Sequence, residues 1–295
     1  MSAIAAHEVA AALPRPGLRQ RALRGLGRNF TMVVGGTLLA VLALTSLLAP
    51  WLAPYDPIDL DVVQRLKPPS ADHWFGTDAF GRDILSRTLW GGRISLLVGL
   101  AVAALSTAAG IVVGLLAGYY RLLDAIVMRI MDGLMAIPGI LLAIAMMALT
   151  RASVEIVILA ITVPEVPRVV RLVRALVLSI REQTYIQAAV GVGARLPKLL
   201  FRHILPNAVA PVIVQATYVC ASAVLIEAYL SFLGVGTPPE IPSWGNIIAE
   251  GRQYVQLAFW NVSFPGLFLG TMVLSINLLG DGLRDMLDPR LARRM

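Results

Sequence analysis

The chain has 295 residues, of which 57% are hydrophobic and 15% charged, with a net charge of +7, a pI near 10.1 and a mean hydropathy of +0.75. Soluble domains carry about 25% charged residues, so this composition excludes an ordinary soluble protein and indicates several membrane spans. Cys220, the single cysteine, excludes a disulfide framework or a cysteine-ligated metal centre within the chain.

The first 29 residues form a basic tail that includes an alanine-rich stretch, Ser2 to Ala12, expected to lack order. Arg15, Arg19, Arg21, Arg24 and Arg28 then precede an uncharged run reaching Asp56. That run is too long for a cleavable signal and long enough for a span, which needs about 20 residues. The first span is predicted from about Phe30 to Leu52.

The loop that follows, PYDPIDLDVVQRLKPPSADHWFGTDAFGRD, mixes turn formers with Trp74 and Phe75 and reads as structured, with buried aromatics. His73, Trp74, Asp78, Arg82 and Asp83 are its candidate partner contacts. One histidine among scattered carboxylates makes no metal site.

The second span is predicted from Ile94 to Tyr120. Its Gly110, Gly114 and Gly118 form two overlapping Gly-x-x-x-Gly steps, the spacing that lets helices approach closely in lipid. The partner helix is not readable from sequence. A third span is expected over Ala125 to Thr150, with Arg129 and Asp132 spaced to pair on one helix face. The fourth, Val154 to Val170, is the weakest because it contains Pro164, Glu165, Pro167 and Arg168. The fifth, about Val209 to Val235, carries Glu227, and the sixth covers Phe264 to Leu283. Ionisable residues in spans are functional candidates, so Glu165 and Glu227 are taken as possible pathway or gating groups, with local structural pairing as the alternative.

With both termini cytoplasmic, 18 of the 25 Lys and Arg residues fall on the inner side, as the positive-inside rule requires. The basic charge is therefore topological, and no nucleic-acid partner is expected.

Between the fourth and fifth spans lies YIQAAVGVGARLPKLLFRHILPN, Tyr185 to Asn207. Gly191 and Gly193 separate two short helical pieces. Leu196, Leu199, Leu200 and Ile204 recur at helical spacing with Arg195, Lys198 and Arg202 between them, and Pro206 is read as the end of the segment. Spacing alone allows either a protein-docking surface or an amphipathic helix on anionic lipid.

This segment resembles the EAA loop of ABC importer permeases. Ala188, Ala189, Gly193, Leu205 and Pro206 fall on the family's positions, while Gln187 replaces the usual Glu and His203 the usual Ile. HWFGTDAFGRD, LDAIVMRIMDGLMAIPGILLA, EAYLSFLGVGTPPEIPSWG and NLLGDGLRDMLDPRL resemble, in order, blocks of the C-type inner-membrane permease subunit of peptide and nickel importers.

The resemblance implies an all-α, polytopic membrane protein with six transmembrane helices and an ABC importer permease (MetI-like) core. Residues 1–29 would be a cytoplasmic tail, 30–93 the first span and outer loop, and 94–295 the permease domain with a coupling loop at 173–207. It further implies a bacterial inner-membrane location, a B-type permease partner, two ATP-binding subunits that hold ATP and Mg, and an extracytoplasmic substrate-binding protein. Gln187, Ala188, Ala189, Gly193, Arg195, His203, Leu205 and Pro206 would face the ATPase. No Gly-x-x-x-x-Gly-Lys-Ser/Thr loop is present, so neither a cofactor nor catalysis is expected in this chain. A secondary transporter acting alone would want an inverted repeat, and none is visible.

Overall fold

The computed structural model describes residues 29–150 and 152–287. The tail before Asn29, with its alanine-rich stretch, and the terminal Arg290, Arg293 and Arg294 lie outside the described residues. The helices are α1 (Phe30–Leu47), α2 (Ala49–Leu52), α3 (Ile84–Tyr119), α4 (Arg121–Ala136), α5 (Gly139–Ala148), α6 (Val154–Arg181), α7 (Thr184–Gly191), α8 (Leu196–Lys198), α9 (Leu205–Phe232), α10 (Trp244–Gly251) and α11 (Trp260–Leu287). A π-helical turn, Leu199–Ile204, joins α8 to α9.

Four described segments are long and apolar enough to cross a membrane: α1, α3, the run Leu196–Phe232, and α11. The pair α4–α5 passes the same test as one broken span. The expected third span is therefore not a single rod, because α4 and α5 meet at 83°. Pro138 supplies no N–H and drives Ile137 to an extended conformation (φ −92°, ψ 128°). The expected fourth span becomes the 28-residue α6, which runs past Val170 to Arg181. Its arginines keep it outside that test, so four or five crossings follow from length and composition, compatible with six.

Helix starts follow local chemistry. The carboxylate of Asp83 accepts from Ser86 N at 2.7 Å and begins α3 ten residues before the expected span. Ser153 and Ser243 cap α6 and α10 through Ile156 N (3.3 Å) and Asn246 N (3.2 Å). Pro206 does not end the helix: it sits in the first turn of α9, and the helical path from Leu196 continues through it to Phe232.

The core is built from α3, α6, α9 and α11, with α1 laid against α11. A Cβ on Gly35 would lie 2.7 Å from Leu278, and one on Gly282 would lie 2.4 Å from Met32. These two notches let α1 sit directly on the α11 backbone. At one end of the bundle the loop between α2 and α3 folds together with the segment from Leu233 to Phe259, forming a cap. Phe75 stacks on Phe264 with centroids 4.1 Å apart, and the indole N–H of Trp260 donates to Thr77 O at 3.2 Å. The other end carries Tyr120, Arg181 and α7.

Candidate coupling surface and membrane-embedded polar groups

Helix α7 emerges where α6 ends and is held by one buried side chain, Ile186. It terminates in a Schellman motif. Gly193 N–H donates to Val190 O at 2.9 Å, Ala194 N–H donates to Ala189 O at 3.0 Å, and Gly193 has φ +78°. A Cβ at Gly193 would meet nothing within 4 Å. The glycine is therefore required by backbone conformation and not by crowding.

The chain then re-enters the bundle through Leu199, Leu200 and Ile204, all buried, while Arg195, Lys198 and Arg202 point outward. The carboxamide of Asn207 donates to His203 O at 2.6 Å and to Tyr185 Oη at 3.2 Å. That bridge ties the two ends of the segment together.

Gln187 and Ala188 are exposed, and Ala189, His203 and Leu205 are half-buried. Pro206 is exposed beside them. The Gln187 amide is directed to Glu182 O at 3.2 Å, within the chain. The structure brings these positions onto one projecting unit. It also adds Val190, Val192 and Phe201, which are open to solvent at 53%, 86% and 65%. The sequence reading missed them because their spacing does not mark a buried face.

The three glycines of α3 find their partner inside this chain. Gly110, Gly114 and Gly118 abut Val169, Val173 and Val177 of α6, where an added Cβ would come within 2.4, 2.7 and 2.6 Å. The two helices run parallel, and the seam buries one face of α6.

The expected pair Arg129–Asp132 does not form. Asp132 reaches across to Arg171 at 2.6 Å, and Asp124 is held bidentately by Arg174 (Nη2 at 2.7 Å). Antiparallel packing of α4 on α6 sets these pairs, and a reading confined to one helix could not find them. Glu165 is buried and accepts from Arg168 at 3.2 Å.

Glu227 is fully buried within the chain. Its Oε1 accepts from Ser231 Oγ at 3.0 Å and Ser243 Oγ at 2.8 Å. Asn246 Nδ2 donates to Thr237 Oγ1 at 2.9 Å and Pro238 O at 3.0 Å. Glu227 thus fastens the cap segment to α9 and faces the chain's interior, so it presents no group to a passage at the chain's surface.

In the cap, His73, Asp78, Arg82 and Asp83 are buried, and Trp74 alone of the five candidate contacts is exposed, at 68%. The expectation that the loop buries its aromatics is met in part by Phe75, which is half-buried against the core, and not by Trp74. The inner groups form a network. Asp83 accepts from His73 Nδ1 at 3.0 Å, while Asp78 accepts from Arg82 Nε (2.6 Å) and Arg87 Nη1 (2.7 Å). Arg87 also donates to Glu250 of α10 at 2.7 Å. Glu250 lies more than 160 residues from its partners, and no sequence signal marks it. Among the described residues no group of three or more His, Cys, Asp or Glu could hold a metal ion.

Residues 110–293 match the family described as binding-protein-dependent transport system inner membrane component, and residues 17–69 match the N-terminal TM domain of oligopeptide transport permease C. A probable peptide ABC transporter permease protein of Sinorhizobium fredii is 52% identical over 90% of this chain and 91% of its own length. A dipeptide transport system permease protein of Alkalihalophilus pseudofirmus is 42% identical over 92% and 90%. The inward-facing MetNI methionine ABC transporter shares the fold, with a TM-score of 0.51 and 23% identity over 68% of this chain and 98% of that one. On these matches the chain belongs to the binding-protein-dependent transport system inner membrane component family, as a C-type ABC importer permease subunit.

Proposed function

We propose that this chain forms half of the passage of an ATP-driven importer of peptides in a bacterial inner membrane. A B-type permease completes the passage, two ATP-binding subunits hold ATP and Mg, and an extracytoplasmic binding protein delivers substrate. Both termini are cytoplasmic in this reading, and ATP hydrolysis takes place in the partners. The relatives named as peptide and dipeptide permeases support the substrate class.

The α7 unit supports the coupling role. It projects between α6 and α9, it is closed at its base by Asn207, and it displays exposed Val190, Val192 and Phe201. A surface with apolar anchors and no reactive group serves docking. Force applied to α7 passes into α9 through the buried Leu199, Leu200 and Ile204. Gln187 carries no charge, so its contact with the ATPase is a hydrogen bond and not a salt bridge.

Gly193→Val tests this reading. A β-branched residue at φ +78° costs about 1–3 kcal/mol, which unwinds the Schellman turn while leaving buried packing intact. The expected result is an assembled complex that hydrolyses ATP and imports at least about tenfold more slowly, one decade corresponding to about 1.4 kcal/mol. Gly191→Ala, with no neighbour within 4 Å and no positive φ, should import normally. Unchanged uptake with Gly193→Val would remove the coupling assignment.

A further inference from the structure

Helix α6 has two faces. Val169, Val173 and Val177 lock onto α3, while Arg168, Arg171, Ala175 and Ser179 fall on the side the bundle leaves open. The side chains of Arg168 and Arg171 are 46% and 44% exposed, and Asp132 beside them on α4 is 58% exposed. Arg168 and Arg171 lie on α6, the helix that contains the expected fourth span, and Asp132 lies on α4 of the broken α4–α5 span. Charged side chains in spans face a bundle interior or water and not lipid. The open face of α6 therefore borders an aqueous space or a second polypeptide.

The arginines are under-used. Arg171 gives one contact to Asp132 through Nη2, and Arg168 reaches Glu165 through Nη1 alone, at 3.2 and 3.3 Å. A guanidinium has five N–H donors, so most remain free to act as forks. Successive arginines three residues apart stand about 4.5 Å apart along the axis, close enough for two to straddle one carboxylate.

The geometry points to Arg168 and Arg171 as a carboxylate-binding step in the import passage, taking the C-terminal carboxylate of a peptide in transit. This deepens the importer reading and rests on it. A C-terminal carboxylate belongs to a peptide of any sequence, so such a step holds substrates independently of their side chains. Each arginine keeps one acidic neighbour, which limits how tightly the ligand is held and lets it leave.

The test uses the assembled importer in proteoliposomes with Ala175→Cys as reporter, one turn beyond Arg171. The chain without an added cysteine is the control, since Cys220 is buried. Labelling rates are compared for a thiosulfonate reagent carrying a sulfonate and one carrying a trimethylammonium, each normalised to its rate with a free thiol. The sulfonate reagent is expected to react about tenfold faster, a preference that falls to about one in R168Q/R171Q and partway in R171Q alone. Tri-alanine should slow labelling, and tri-alanine amide should not. Ser179→Cys serves as a second reporter should Ala175→Cys impair assembly. If neither reagent reacts while uptake continues, the face is sealed and the inference falls with the importer reading intact. A charge preference that survives R168Q/R171Q, or equal protection by acid and amide, also overturns it. Loss of ATP-dependent uptake from the unaltered complex would instead strike the importer reading.

Discussion

Placing a methyl group at Gly114 separates helix packing from every other role of α3. The new Cβ would lie 2.7 Å from Val173 Cβ, 2.9 Å from its Cγ1 and 3.0 Å from Val170 O. Carbon atoms favour about 3.5–4.0 Å, so α3 and α6 would have to part by about 1 Å. Gly110 and Gly118 hold the same closeness one turn away on either side, which prevents a local tilt from relieving the clash. The expected cost of Gly114→Ala is about 1–3 kcal/mol. Val173→Ala is a poor rescue because the clashing atom is Cβ itself. Val173→Gly removes it, at a cost of its own from lost contacts and a few tenths of a kcal/mol, roughly, of helix propensity. The pair Gly114→Ala/Val173→Gly moves the small residue across the seam and should be more stable than the summed single changes by about 1–2 kcal/mol. Unfolding in mixed detergent–SDS micelles, followed by tryptophan fluorescence, measures all four corners of the cycle. Additivity within about 0.5 kcal/mol would refute the contact.

Asp78→Ala leaves the buried Arg87 guanidinium with Glu250 as its remaining partner. Breaking a buried pair costs about 3–5 kcal/mol, and the surviving contact should place this variant near the lower bound, read as a lower melting temperature and faster proteolysis of the cap. Glu227→Ala orphans the hydroxyl of Ser231 and leaves that of Ser243 with Thr237 and the Asn246 N–H, at about 1–3 kcal/mol for the orphaned group. Hydrogen exchange across residues 233–251 should accelerate in that variant. Glu227→Gln, which keeps the Oε1 acceptor, should exchange close to the native rate, and equal effects from the two substitutions would contradict the proposed tie.

Apolar runs made α1, α3, α9 and α11 legible, because a bilayer crossing leaves a signal that needs no partner. The glycine spacing of α3 announced close packing, but the complementary feature is three valines 59 residues onward, and valines at helical spacing occur in any apolar helix. The break at Pro138 was visible as an Ile-Pro-Gly step and was hidden by the hydropathy on both sides of it. Pro206 misled in the opposite direction: the π turn before it widens the helix ahead of the ring, so the helical path runs on through a residue that reads as a stop. Charge pairing was the least legible. Arg171–Asp132, Arg174–Asp124 and Arg87–Glu250 all join separate elements, and a sequence shows only the neighbours on its own helix. In the α7 unit the buried leucines and outward basic residues followed the periodicity, whereas nothing in the pattern marks Val190, Val192 and Phe201 as exposed.

The valine–glycine seam has a mechanical consequence. Three rungs of near-backbone contact leave α3 and α6 no room to slide or roll against each other, so they must travel as one beam, about 54 Å long if α3 is taken at 1.5 Å per residue. Whatever motion admits a solute cannot divide them. It has to be absorbed at the places where the chain is already discontinuous: the elbow at Pro138, the glycine turn after α7 and the widened π turn that leads into α9. Distances between labels on α3 and α6 should then stay constant through a transport cycle, while distances from either helix to α5 or α7 change.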